Sequence, residues 1–559
     1  MDTKRLILFV ILSFSILMLW DGWQRQHVPA DSAIETSQTQ DVSVPQVSST
    51  PTTGASASGT LDPNKETAAL SQDSGFRLLP GKRIHVETDL FSAEIDTTGG
   101  DLRHLELLKH RASDSTDHNF VLLDDTAAPM TYVAQTGLIG TDLPTHKSVF
   151  TTTADSYQMQ AGKDTLDVRF TWVGTNGVQV DKIYTFHRGD YAIDVNYQIH
   201  NGSNAPIEPW VYYQIVHDSQ SNQGSKMMPT FTGGAYFTQA DKYKKLPFKE
   251  MEKSNLSKNT PDGWVGIVQH YFVSAWIPEE ASPREFYTKK LSENIYSIGS
   301  KGSLGIVQPG VSIQADAKYY AGPQTHADLE KTAPGLELTV DYGILKVIAF
   351  PLFWVLSHIE SVVHNWGVAI ILLTVLIKLI FYPLSAKSYR SMAQMRELAP
   401  RLQRMKEQFG DDRQKMQQAM MALYKTEKIN PMGGCLPILV QIPVFISLYW
   451  VLLGSVEMRH APFILWIHDL SAVDPYYVLP LLMGATMIIQ TRLNPAPTDP
   501  VQAKVMMIMP VVFSVFFFFF PAGLVLYWLV NNLLSITQQW RINTVIKRES
   551  AAKKGNAVK

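Results

Sequence analysis

Cysteine is almost missing from this chain. Its 559 residues include one, Cys435, so no intramolecular disulfide framework exists, and that residue, set among apolar neighbours, reads as a small hydrophobe. Excess charge is missing as well. The formal net charge of −2 gives no reason to expect DNA as a partner. No Walker-type glycine loop, no His-Glu-x-x-His and no Gly-x-Ser-x-Gly elbow occurs, which argues against nucleotide hydrolysis and covalent catalysis. His468-Asp469 reads as a membrane-proximal structural pair rather than part of a triad. No catalytic residue, metal site or cofactor is therefore expected, and the chain is not read as an enzyme. Aromatics are also missing from about 27 to 75, a stretch rich in Ser, Thr, Pro, Gln and Ala. Such a segment cannot bury enough apolar surface to fold, so residues 26–78 read as a disordered tether.

What is present divides into two unlike halves. Ahead of the tether, Lys4 and Arg5 precede an apolar run from Leu6 to Trp20, but the following Asp21-Gly-Trp-Gln-Arg25 lacks a small-x-small cleavage pattern. Residues 1–25 thus read as an uncleaved anchor whose start stays in the cytoplasm. From 79 to 340, short alternating runs are separated by turn residues. Ile84-His-Val86, Ala93-Glu-Ile95 and Ile183-Tyr-Thr-Phe186 are examples, the last joined through His187-Arg-Gly-Asp190 to Ala192–Ile199. Period-two alternation with closely spaced turns predicts antiparallel β structure, a large sandwich. Arg188-Gly189-Asp190 reads as a hairpin turn, not an adhesion motif.

The second half is apolar. Residues 343–364 are dense in large hydrophobes but interrupted by Pro351 and by Lys346, His358 and Glu360, which suits an amphipathic helix lying at the membrane interface. Spanning segments are expected at about 366–383, 434–453, 476–491, 505–520 and 522–540, the last two closed into a hairpin by Pro521 and Gly523. With the anchor this makes six spans, both termini cytoplasmic and residues 26–340 outside. Charge agrees: Lys387–Lys428 holds ten Lys/Arg against five Asp/Glu, Arg541 onward holds six against one, and 454–475 holds a single Arg. Within 386–429, Met395, Leu398, Leu402, Met405 and Phe409 repeat at spacings of three and four, as in a coiled-coil seam. Gly410-Asp411-Asp412 supplies a stop and an N-cap before a second helix. This is a cytoplasmic helical hairpin, its basic face either a solvated positive-inside surface or one turned toward a ribosome or nascent chain. Residues 542–559 read as a basic cytoplasmic tail.

One residue contradicts its surroundings. Lys378 lies inside the apolar run Val368–Pro383, where a cation costs roughly 2.5–3.5 kcal/mol on insertion scales. Either its stem snorkels to the nearer headgroups or it faces a hydrated cavity. Other polar residues share the membrane half: Thr374 one turn before Lys378, Gln441, Thr486, Gln490, and Asn531, Asn532, Ser535 and Thr537 in the last span. Tyr527, Asn531 and Ser535 share one helical face. No intramembrane carboxylate is available to neutralise the lysine, which favours a water-filled groove over an ion pair.

These features come together in a family resemblance. Asn365-Trp-Gly367 through Tyr382-Pro-Leu384, Met420–Lys425, Asn430-Pro-Met-Gly-Gly-Cys-Leu-Pro437 with Gln441-Ile-Pro443, Leu465–Leu470 with Asp474-Pro-Tyr-Tyr477, and Phe520–Tyr527 resemble the insertase family of bacterial YidC, the mitochondrial oxidase-assembly proteins and chloroplast Albino. Gly263-Trp-Val and His270–Pro278 add the outer domain of its Gram-negative members. The resemblance implies a multi-domain inner-membrane protein: a periplasmic all-β supersandwich, and a polytopic α-helical core of 365–541. Five of the six transmembrane helices would enclose a hydrophilic groove lined by Lys378, Thr374, Gln441, Gln490, Tyr527, Trp528, Asn531 and Ser535. Many members carry arginine where Lys378 stands; lysine keeps the charge but not the planar fork. Implied partners are nascent membrane proteins, the Sec translocon with its accessory subunits, the ribosome through cytoplasmic loops and tail, and the phospholipid bilayer. The alternative is an assembly scaffold for the translocon that inserts nothing itself.

Overall fold

The computed structural model describes residues 45, 76–112, 117–125, 130–220, 230–279, 283–409, 412–427, 436–493 and 500–557. The expected anchor, nearly all of the tether, the Gly410-Asp411 stop and the Asn430–Cys435 part of the family motif lie outside them. The chain divides into two compact units. One runs to Gly343 and includes residues 454–457; the other holds Ile344–Leu453 and Met458 onward.

Alternating side chains build the first unit. Ile84, Val86, Ala93 and Ile95 are all buried while Arg83, His85, Glu87, Ser92 and Glu94 are not, so each strand gives one face to a shared core. Among the described residues the strands form a ten-stranded and an eight-stranded sheet. Asp101–Arg111, Tyr132–Ile139, Trp210–Asp218 and Ile295–Ser303 run through the middle of the larger sheet. In the smaller, Thr165–Val173, Val178–His187 and Ala192–Asn201 form a meander that continues onto Ser312–Pro323. Pairing of Phe186 with Ile193 closes the predicted hairpin, and Gly189 supplies the left-handed residue of its turn at φ +71°.

Polar bonds stitch the two sheets through an otherwise apolar core. Trp276 donates to the Gln214 carbonyl at 3.1 Å and Thr136 to the Tyr197 hydroxyl at 3.2 Å. Lys182 is fully buried, donates to the Gly99 carbonyl at 3.0 Å and lies 5.4 Å from the centre of the Tyr184 ring. Asp101 accepts from Gln135 at 2.9 Å and stands 3.3 Å from Arg103. Burial pushes the Asp101 carboxyl up to about 6, against the pull of Arg103 and Lys182. Burial also pushes the Lys182 ammonium down to about 7, against the pull of Asp101. Two short helices, α1 (Phe248–Lys253) and α2 (His326–Thr332), cap this unit.

The second unit is helical: α3 (Lys346–Val363), α4 (Trp366–Ile380), α5 (Tyr382–Phe409), α6 (Arg413–Thr426), α7 (Leu436–Gly454), α8 (Val478–Leu493), α9 (Pro500–Phe517) and α10 (Ala522–Ala557). Two boundaries differ from expectation. The span read as 366–383 stops at Phe381, where the chain turns by 67° into α5. Pro383 therefore lies in the first turn of the next helix, where a missing N–H costs nothing, rather than at the end of the span. The last helix also runs far past the expected end near 540, taking in most of the stretch read as a tail.

By length and composition α3 is long and apolar enough to cross a membrane, and α4 joined to the start of α5 would be a second such segment. The hairpin seam is as patterned: Leu398 and Leu402 are buried, and Met395, Met405 and Phe409 are half-buried. Arg401 bridges to Glu427 at 2.6 Å, tying α5 to the end of α6, and Asp412 caps α6 through the Lys415 N–H.

Candidate functional site: a polar spine between apolar helices

Asn365 sets the register of α4. Its side chain accepts from the Val368 N–H at 3.0 Å and donates to the Phe463 carbonyl at 3.0 Å. From that cap, Gly367, Ala369, Ile370, Leu373, Thr374, Ile377 and Lys378 all fall on the buried face, while Leu372, Leu376, Leu379 and Ile380 lie exposed. The helical period therefore turns the lysine inward together with the apolar core of the helix.

Lys378 is only 6% exposed, and its Nζ donates to the Ser535 hydroxyl at 2.8 Å. Of the two readings the sequence left open, the cavity-facing one has this contact in its support: the stem runs toward α10. Ser535 in turn donates to the Asn531 carbonyl at 2.7 Å and is a hydrogen-bond partner of Tyr389 on α5. No carboxylate among the described residues pairs with the ammonium.

The same helix makes the other polar contacts. Gln441 of α7 donates to the Asn531 side-chain oxygen at 2.6 Å. Asn532 donates to the Thr486 hydroxyl of α8 at 3.4 Å, and Gln539 to the Leu493 carbonyl at 3.2 Å. Helix α10 is thus a spine whose polar residues reach α4, α7 and α8. In an apolar medium such bonds contribute about 0.6–2 kcal/mol apiece.

Of the eight residues expected to line a groove, five meet directly: Lys378 with Ser535, and Gln441 with Asn531 and with Tyr527. Thr374 lies on the same buried face but its hydroxyl donates to its own helix, to the Ile370 carbonyl at 2.6 Å. Tyr527 is buried, its ring 5.9 Å from that of Phe445. Trp528 packs edge-on against Phe445 and Phe517 at 4.5 and 5.5 Å. Gln490 is half-buried and joins none of these bonds. Tyr389 and Gln539 were not anticipated. Their signal is faint, since both lie in amphipathic stretches where a polar residue is ordinary. Among the described residues no group of His, Cys, Asp or Glu could hold a metal ion.

Comparison with known proteins follows the same division. Residues 83–355 match the model of the YidC periplasmic domain, and residues 358–550 match the 60Kd inner membrane protein model. A membrane protein insertase YidC from Methylobacillus flagellatus is 69% identical, each chain covered over its full length. One from Nitrosospira multiformis is 51% identical over 99% of this chain and 98% of that one. A crystal structure of an active YidC insertase aligns over 82% of this chain and 92% of that one, at 19% identity and a TM-score of 0.39.

Proposed function

This chain belongs to the YidC membrane protein insertase family, and from that membership we propose how its own residues carry out insertion. It is an insertase of the inner membrane, with a periplasmic β-sandwich domain and a helical membrane region, and it is not an enzyme. Our proposal begins at the site. The spine of α10, with Lys378, Gln441 and Thr374 around it, is the polar side of a groove that receives a nascent hydrophobic segment and its polar flank.

The observation that carries this reading is the buried ammonium of Lys378, which has a hydroxyl partner and, among the described residues, no carboxylate. A single hydroxyl satisfies one of its three N–H groups. The charge is therefore left available to an arriving acidic group, or to water accompanying it. In the mechanism, the polar flank is held at the spine while the apolar segment moves into lipid past α7 and α9. Each Leu, Ile or Phe contributes about −0.3 to −0.6 kcal/mol at the membrane centre, so partitioning supplies the drive. A membrane potential adds roughly 2.3 kcal/mol per charge per 100 mV to outward movement of an acidic flank.

The topology belongs to the same proposal: six spans counting the N-terminal anchor, both termini cytoplasmic, and α3 at the outer interface. The helical pair α5–α6 is a cytoplasmic hairpin facing incoming chains or the ribosome, and the Sec translocon is a working partner. The charge asymmetry of the loops and the half-buried methionine seam support it. A scaffold without insertase activity is not favoured, because the relatives are insertases by name over their whole length.

The test is insertion of a small one- or two-span protein into liposomes containing only this chain, read by protease protection. We expect Lys378→Arg to retain insertion and Lys378→Ala to lose most of it, the loss being largest for substrates with acidic flanks. Equal activity in all three, with each protein shown to be folded, would remove the charge from the mechanism.

A further inference from the structure

The segment between α7 and α8 carries an apolar tip held in an unfavourable backbone conformation. Leu465 has φ +57° and is 75% exposed, and the adjoining Ile464 is 53% exposed. Leucine rarely occupies the left-handed region, because its Cβ crowds the following carbonyl at a cost of roughly 1–2 kcal/mol. A lone exposed leucine needs no explanation. Here the left-handed residue and its neighbour both hold aliphatic side chains outward.

The tip is also rigid. The Phe463 N–H donates to the Ile467 carbonyl at 2.9 Å and the Ile467 N–H to that of Ile464 at 3.2 Å, closing a tight turn around Leu465 and Trp466. Asn365 grips the turn from α4, and the Trp466 indole donates to Asp474 at 3.0 Å. Asp474 in turn accepts from the Leu479 N–H at 2.7 Å, at the start of α8. Beside the tip stand Tyr476, 68% exposed and with its ring 6.4 Å from that of Trp466, and half-exposed Tyr477. One turn further on, Leu481 and Leu482 continue the exposed apolar face along α8. Of the charged groups nearby, Asp474 and Arg459 are buried, and Asp469 is 3.3 Å from His460.

We propose that residues 462–467 form a fixed wedge that dips into the bilayer. Ile464 and Leu465 sit at the headgroup–acyl boundary, and Trp466, Tyr476 and Tyr477 lie at headgroup level. The occupant is lipid because the patch is continuous with the apolar face of α8, and because an aliphatic tip flanked by aromatics matches the composition of a membrane interface. The inference rests on α7 and α8 crossing the membrane, and its test separates the two.

The experiment uses the full chain in phosphatidylcholine–phosphatidylglycerol vesicles. The sole native cysteine is replaced (Cys435→Ala), and single cysteines carrying an environment-sensitive nitrobenzoxadiazole probe are placed by Leu465→Cys, Tyr476→Cys, Leu481→Cys and Lys163→Cys. Lys163 is exposed in the β unit and serves as the aqueous reference; Leu481 reports α8. The wedge predicts blue-shifted emission at 465, quenching by doxyl-labelled lipids, and several-fold weaker quenching by aqueous iodide than at 163, with 476 intermediate. Quenching by doxyl lipid at 481 but not at 465 would overturn the wedge while leaving α8 in the membrane. No lipid quenching at 481 would overturn the spanning reading and the wedge with it. A probe at 465 shielded from iodide, unquenched by lipid and cross-linking to a second copy would replace the lipid with a protein neighbour.

Discussion

Ser535 holds the most consequential single hydrogen bond in the membrane unit, because its partner carries a charge. Removing its hydroxyl leaves the Lys378 ammonium buried without an acceptor, a loss of about 1–3 kcal/mol for a group that stays charged. Ser535→Ala should therefore lower the melting temperature in detergent, and Ser535→Thr should restore it. In the β unit, Lys182 and Asp101 make stability depend on pH in a defined way. With its folded value at about 7 and its ordinary value at 10.5, native Lys182 holds fewer protons than the unfolded chain between those limits, so stability rises with pH across them. Asp101, at about 6 against 3.8, holds its proton longer in the native state, so stability falls as pH rises from about 4 to 6. The pair contributes least between the two windows. Lys182→Met should abolish the alkaline rise, which unfolding curves of the β unit in the full chain between pH 7 and 10 would show. Nothing local in the sequence announces this pair: Gly99, Asp101, Thr136 and Lys182 are brought together only by the stacking of two sheets. Lys378 was legible for the opposite reason, since a cation within an apolar run is anomalous wherever it occurs.

At the scale of elements, small residues decide how closely helices and loops approach. A Cβ on Gly367 would lie 2.1 Å from the Phe463 ring, so Gly367→Ala must push that ring, and the turn it anchors, away from α4. Overpacking of this kind costs about 1–3 kcal/mol. The expected outcome is reduced thermal stability and freer protease access to 460–470. Most strand and helix positions were readable because burial repeats at 2 or 3.6 residues. The ends of α4 and α10 were not. Pro383 looked like a terminator, yet proline is equally at home in a first turn. The polar residues after 540 looked like a tail, yet Lys, Arg, Gln and Ala also favour helix. The faces were clearer than the limits: the spacing of four between Asn531 and Ser535 put both on one side of α10 before any neighbour was known.

For the whole molecule, the division near residue 343 separates two kinds of stability. The β unit is held by an apolar core between two stitched sheets, the helical unit by packing and by the bonds of one polar spine. The insertase reading assigns the essential parts to 343–540. A chain lacking residues 79–340, but keeping the anchor joined to α3, should therefore retain insertion of a small substrate in liposomes. Loss of insertion, with the truncated protein folded, would move part of the function outward. The family was legible from motif stretches in both units, whereas the partners of each spine residue became visible only in three dimensions.

The length of α10 has a mechanical consequence. On the topology proposed above, its thirty-six residues make a rod of about 54 Å against roughly 30 Å of hydrocarbon, leaving some 20 Å of stiff helix beyond the bilayer. A load applied at its free end acts as torque about a fulcrum at the membrane surface. The short arm of that lever carries Asn531, Asn532 and Ser535. A pull of modest size on the projecting arm would tilt three hydrogen-bonded contacts at once.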